Sequence, residues 1–224
     1  MARVSSNRRY RGLSPRQRRR ERRERLLEAA VAEFGENGYQ NATVRGLCAR
    51  AGLTERYFYE SFENREALLC EAYDHVLGRL WGRVQEAIRT APGDDAPALA
   101  RSALRAFFGF MRDEPAAARV VLFEVLGVSA AVDQRYREAM QGFAGLIREL
   151  ALPRLPAALA AHAEDDMLAD GLVGAVVHIA MRWVLGGYRQ SLTQVTESGL
   201  TIFRAVYVEL ASAGPDTRAE AAGA

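Results

Sequence analysis

Lysine is absent from this 224-residue chain, and all 30 of its basic residues are arginine. With alanine abundant as well, the bias reads as GC-rich codon usage and excludes nothing about mechanism. Cysteine is nearly absent. Cys48 and Cys70 have no Cys-x-x-Cys spacing and no closely spaced histidine pair, which excludes a disulfide framework or a zinc site and suits a reducing cytoplasm. Long apolar runs are missing too. The longest, Leu172 to Met181, already contains His178 and stops at Arg182, short of the roughly 18 residues of a membrane span. Arg8-Arg9 is followed by no apolar segment, so no export signal is read. The chain should be soluble, with no membrane partner. Catalytic signatures are equally lacking: there is no Glu-x-x-His pair on the long helices, no Ser nucleophile elbow and no Gly-rich phosphate loop. No catalytic residue, metal or cofactor is expected.

What is present is enough apolar sequence, 49% of residues, to close one or two globular cores. The net charge of +2 is unevenly spread. Eleven Arg and two Glu fall within residues 1–25, a local charge of +9 that leaves −7 for residues 26–224. Strand-like alternation is scarce, whereas apolar residues recur at helical spacing, as in Leu27, Ala30, Val31, Phe34 and in Leu69, Ala72, Tyr73, Val76, Leu80. The fold class is all-α. Turn residues divide the chain into helices at about 20–36, 44–51, 55–61, 65–90, 97–112, 115–126, 131–150, 165–188 and 194–212, with a short one near 156–162. Three short helices precede the long ones. The expected domains are an Arg-rich disordered arm (1–19), a three-helix unit (20–66), a larger helical bundle (67–212) and a disordered tail (213–224).

Residues 43–61 have the anatomy of a helix-turn-helix. Thr43 is placed to N-cap a helix whose buried stripe is Val44, Leu47, Cys48 and Ala51, Gly52 permits the sharp turn, and Leu53 seals the corner. Thr54 then caps a short helix with Phe58 inward and Glu55, Arg56 and Tyr57 outward on its N-terminal half. That half of a recognition helix meets base edges in the major groove, where Arg pairs with guanine and Glu accepts from cytosine. Arg45, Arg56 and Arg65 fall on one face, Arg50 is read as solvated, and Cys48 and Cys70 as small buried thiols without chemistry.

From Leu26 to about Leu69 the chain resembles the N-terminal domain of the TetR/AcrR family of bacterial transcriptional regulators. The matching pieces are Leu27-x₂-Ala30-x₃-Phe34, Gly38-Tyr39, Ala42-Thr43-Val44, Ala51-Gly52-Leu53-Thr54 and Phe58-Tyr59-x-x-Phe62-x-Asn64-Arg65-Glu66-x-Leu68. The resemblance implies that Tyr59, Arg65 and Thr43 hold phosphates, that Arg45 reaches a base, and that Phe62 packs. Three departures stand out: Arg65 where the family usually has Lys, the bulky charged triplet Glu55-Arg56-Tyr57, and Ser61 where an aromatic or His often stands. The first keeps a charge and adds a fork suited to phosphate. The second means that the operator cannot be borrowed from a relative.

The remainder resembles the family's C-terminal domain in helix layout, with Trp183 and Gly186-Gly187 ending the penultimate long helix. The resemblance implies a homodimer through the last two long helices, with apolar stripes Leu172, Val176, Ile179, Trp183 and Leu200, Phe203, Val206, Tyr207, Leu210 serving core and partner. Recognition helices about 34–36 Å apart would then read an inverted repeat. It also implies an unidentified small-molecule effector, with Phe107, Phe110, Met111, Met140, Phe143, His178 and Arg182 as candidate contacts. The expected function is a sequence-specific DNA-binding regulator, a repressor released from its operator when helix 65–90 is displaced near Trp81 and moves Asn64 and Arg65. An enzyme would need the motifs missing above. A nonspecific DNA binder would explain the Arg arm but not the capped reading face.

Overall fold

A computed structural model describes residues 14–154 and 166–212. Its helices are α1 (Pro15–Asn37), α2 (Val44–Ala51), α3 (Glu55–Tyr59), α4 (Arg65–Arg89), α5 (Ala96–Asp113), α6 (Pro115–Arg119), α7 (Ala130–Ala151), α8 (Asp166–Leu185) and α9 (Leu192–Ser212). A π-helical turn, Val120–Glu124, continues α6, and a 3₁₀ turn, Leu152–Arg154, ends α7. No strand occurs among the described residues. The helix expected near 156–162, the first part of the arm and the tail from 213 lie outside them.

α1 begins five residues before its expected start, so residues 15–19 are helix and not disordered arm. Ser14 and Gln17 cap each other reciprocally, with the Gln17 N–H donating to Ser14 Oγ at 3.2 Å and the Ser14 N–H to Gln17 Oε1 at 2.7 Å, and Pro15 sits at the first helical position. Arginine is a good helix former, so the charged run continues the helix once it is capped. The expected single helix over 115–126 is instead one α-helical turn and a π turn. The wider i→i+5 winding inserts a residue and shifts the facing of Val120 to Glu124.

One hydrophobic core runs from Leu26 and Phe34 on α1, through Leu47, Phe58, Leu68 and Tyr73, to Phe108, Trp183 and Leu200. The small N-terminal unit is therefore packed into the larger bundle and not merely tethered to it. α1 lies directly on α6, and a Cβ at Gly35 would overlap the Ala116 backbone, so the two helices touch main chain to main chain. α5 packs along both α4 and α9, and α8 packs on α7.

Candidate functional site

The helix-turn-helix stands on its caps and one glycine. Thr43 Oγ1 accepts the Gly46 N–H at 3.0 Å, and Gly52 turns the chain in the left-handed region (φ 61°), where a side chain would also strike Arg25. Arg25 Nη2 donates to the Ala51 carbonyl at 2.5 Å and so ties α1 to the end of α2. Thr54 occupies the N-cap position of α3, but its hydroxyl makes no cap bond, contrary to expectation. Phe58 and Phe62 are buried and tilt against each other 5.9 Å apart, fixing α3 to the core. Arg45, Thr54, Glu55, Arg56 and Tyr59 are left on the surface, Tyr59 with 59% of its area exposed.

Several arginines are engaged. Arg56 Nε pairs with Glu60 at 3.1 Å on an exposed surface, and Arg22 lies 4.2 Å above the Tyr57 ring, which leaves Tyr57 half-buried. Arg50, read as solvated, bridges Glu33 at 3.0 Å and Glu36 at 2.6 Å, and this hydrogen bond holds the Glu36 carboxyl below its usual pKa. Arg65, assigned by resemblance to a phosphate, is half-buried over the Tyr39 ring. Its Nη1 donates to the Tyr39 carbonyl at 3.3 Å and to that of Ala42. Cys48 and Cys70 are buried free thiols whose pKa is raised by that burial.

The extended α1 adds a feature that the sequence reading missed. Arg16, Arg19, Arg20 and Arg23 share one helical face and, with Ser61, line a shallow groove beside α3. Ser61 brings no charge of its own; of these arginines, Arg20 pairs with Glu24 at 2.8 Å, Arg23 pairs with Glu71, and Arg19 donates to the Glu60 carbonyl at 2.7 Å. The capping box at Ser14 was the available signal.

The second site lies within the bundle. A cavity of about 170 Å³ runs between α4, α5, α7, α8 and α9, and its walls are almost wholly apolar. Phe107, Met111, Met140 and Phe143 line it as expected. Three other candidates do not. Phe110 is buried with its ring 5.8 Å from Arg79, and His178 and Arg182 face outward on α8. His178 and Arg182 stand four residues apart among mostly apolar neighbours, so spacing alone does not say which side of α8 faces the cavity. The stripe assigned jointly to core and partner also divides differently. Leu172, Val176, Leu200, Phe203, Val206, Tyr207 and Leu210 line the cavity, and Trp183 is buried. The outer face of α8 is instead Met167, Asp170, Gly171, Gly174, His178, Arg182 and Leu185, with Ile202 and Val208 exposed on α9. The stretch Met167–Leu185, with mean hydropathy 1.5, is long and apolar enough to cross a membrane by length and composition, contrary to the shorter run read from sequence. Its apolar residues Leu168, Leu172, Val173 and Val176 serve the cavity wall, and its polar residues Asp170, His178 and Arg182 face outward.

The cavity and the helix-turn-helix meet at residues 38–43. Val121 and Leu122 of the π turn line the cavity, and Glu124 of the same turn accepts the Tyr39 N–H at 2.8 Å. Arg65 holds the carbonyls of the same loop from the other side. Ser129 Oγ donates to Glu66 Oε1 at 2.7 Å, a further tie between the bundle and the start of α4.

The profile described as bacterial regulatory proteins, tetR family, matches residues 26–72. The chain is 22% identical over 180 residues to the fatty acid metabolism regulator protein of Bacillus subtilis, spanning 79% of this chain and 91% of that one. It is 28% identical over 164 residues to the transcriptional activator FasR of Mycolicibacterium smegmatis, spanning 73% of each. Among solved structures it is similar to FadR from Bacillus subtilis in complex with stearoyl-CoA, with TM-score 0.69 and 20% identity over 84% of this chain and 97% of the other.

Proposed function

We propose that the chain is a TetR-family DNA-binding transcriptional regulator, on the match of residues 26–72 and the relatives above, and that it acts as a homodimeric repressor released from an inverted-repeat operator by an apolar effector. Arg56 and Glu55 read bases, Arg45 reaches a base beside them, and Tyr57 packs at the groove. Thr43, Thr54, Tyr59 and the Arg16 to Arg23 ridge hold phosphates. Arg65 acts chiefly by bracing residues 39–42, which lead directly into the Thr43 cap. The outer stripes of α8 and α9 form the dimer seam, where Gly171 and Gly174 let two helices approach closely. Work on chromosomal DNA sets the protein in the bacterial cytoplasm.

The observation that carries this reading is the loop at Tyr39, gripped by Glu124 from the cavity wall and by Arg65 from α4. A cavity of about 170 Å³ is near the roughly 150 Å³ that accepts a benzene-sized guest. A longer molecule therefore has to part the walls. Movement of Val121 and Leu122 carries Glu124 with it, and displacement of α4 carries Arg65. The FadR relative was solved with stearoyl-CoA. In this chain Arg148 and Arg204 stand where the far ends of α7 and α9 close the cavity, a suitable seat for the anionic head of an acyl thioester. Tenfold release of DNA requires a preference of about 1.4 kcal/mol for the non-binding form.

The test is fluorescence anisotropy of the full chain on DNA from upstream of its own gene against a scrambled duplex, across a salt series, with and without stearoyl-CoA. Preference for the native fragment by about 10³ with two subunits bound, lost on adding the thioester, is expected. Equal binding to both duplexes, unchanged when residues 1–13 are removed, overturns the reading. Tighter binding with the thioester would reverse the sign of control.

A further inference from the structure

Among the described residues, Tyr73 is the one side chain with a buried polar atom that finds no hydrogen-bond partner. The residue is 1% exposed and is among those that line the cavity. A phenylalanine would fill the same space without stranding a donor. Burial raises the pKa of the phenol far above its ordinary value, with Tyr136 from α7 adding to the effect, so the group stays protonated and offers a proton at every working pH.

Its place in the cavity is informative. Tyr73 is on the first half of α4, at the end near the small domain, whereas Arg148 and Arg204 are at the other. Leu77, Leu80, Met111, Val121 and Leu122, all apolar, line the cavity with Tyr73. The nearby arginines are committed outside the cavity, Arg79 to Glu114 and Arg135 to Asp74. A carboxylate at this depth would be buried without a cation. An uncharged oxygen would not.

We propose that Tyr73 is the polar anchor of the effector cavity, and that the molecule it takes carries a neutral oxygen acceptor, such as a hydroxyl, ketone or ester oxygen, at its buried end. This rests on the reading of the cavity as the effector site. It narrows the ligand from a plain hydrocarbon chain to one oxygenated at the end remote from any anionic head.

The test is a thermodynamic cycle on the full chain, with calorimetric binding of C8, C10 and C12 straight-chain fatty acids and their ω-hydroxy counterparts to the wild type and to Tyr73→Phe. The ratio of ω-hydroxy to plain affinity should be at least fivefold higher in the wild type than in the variant at one chain length or more. The unliganded variant should melt no lower than the wild type, since only an unpaired oxygen is removed. Equal ratios in both proteins, with both acid series bound, overturn the anchor and leave the cavity reading standing. Absence of binding by every acid overturns the cavity reading and the inference with it. A Tyr73→Phe protein that melts several degrees lower would mean that the hydroxyl has a partner, and would overturn the inference alone.

Discussion

Glu124, on the π turn whose Val121 and Leu122 line the cavity, hydrogen-bonds the main chain of the DNA-reading unit, and its replacement tests the proposed coupling. Its carboxylate accepts the Tyr39 N–H at 2.8 Å and lies 3.6 Å from Arg119, with 14% of its side chain exposed. A hydrogen bond to a charged group is worth about 1.5–3 kcal/mol and a neutral one about 0.5–1.5, so Glu124→Gln should cost about 1 kcal/mol. At this chain size that lowers Tm by about 2–4 °C. If the same energy holds the loop in its DNA-binding geometry, Kd for operator rises by up to about fivefold per subunit engaged. Glu124→Ala leaves the Tyr39 N–H unpaired and should cost about 1–3 kcal/mol, with a correspondingly larger loss of affinity. Thermal unfolding and operator anisotropy on the two variants read both effects. A fall in Tm with operator affinity unchanged within twofold in both variants would refute the coupling and reduce Glu124 to a structural tie.

Three further outcomes are expected. Arg56→Ala should lose about 1–3 kcal/mol on the operator and little on a scrambled duplex, whereas Arg65→Ala should weaken both alike and also lower Tm, because its carbonyl contacts are lost; paired anisotropy and melting curves separate the two. Gly174→Leu projects into open space in the single chain, so the fold should keep its Tm at low concentration while sedimentation shows the dimer weakened. Asp113, hydrogen-bonded by Arg83 and then Arg112, has its carboxyl pKa lowered on folding; its contribution is present above the unfolded value near 3.8 and lost as pH falls through the lower folded value. The Tm difference between wild type and Asp113→Asn should therefore be flat from pH 5 to 8 and vanish in acid.

The parts of the fold legible in the sequence are those governed by short-range rules. Thr43 and Gly52 mark the ends of α2 to the residue, because capping and a positive φ are decided within four residues. The start of α1 was equally marked by Ser14, Pro15 and Gln17, but the arginine run beside them suggested a disordered arm, and composition outweighed the cap. The π turn left no trace, since Val120 to Glu124 are ordinary helix residues whose winding is set by what they pack on. Phe107 and Met111 on α5 and Met140 and Phe143 on α7 line the cavity because those helices have a clear polar back, whereas Phe110 on α5 is buried away from it. On α8 apolar residues dominate the sequence and only the fold shows that Asp170, His178 and Arg182 face outward, so the inward placing of His178 and Arg182 does not hold. The unpaired hydroxyl of Tyr73 is a property of its neighbours in space, which no spacing along the chain encodes.

The bare main-chain contact between Gly35 and Ala116 has a consequence for engineering. Members of a family built from a reader and a sensor invite recombination, with the crossover drawn at the start of α4. In this chain such a cut would separate α1 from the surface to which it is fitted without an intervening side chain, and would leave the Tyr39 N–H to whatever the new sensor offers. A graft that keeps its response must carry α6 and the π turn with the reader. The natural seam for exchange lies after Val125, not at the helix that joins the two halves.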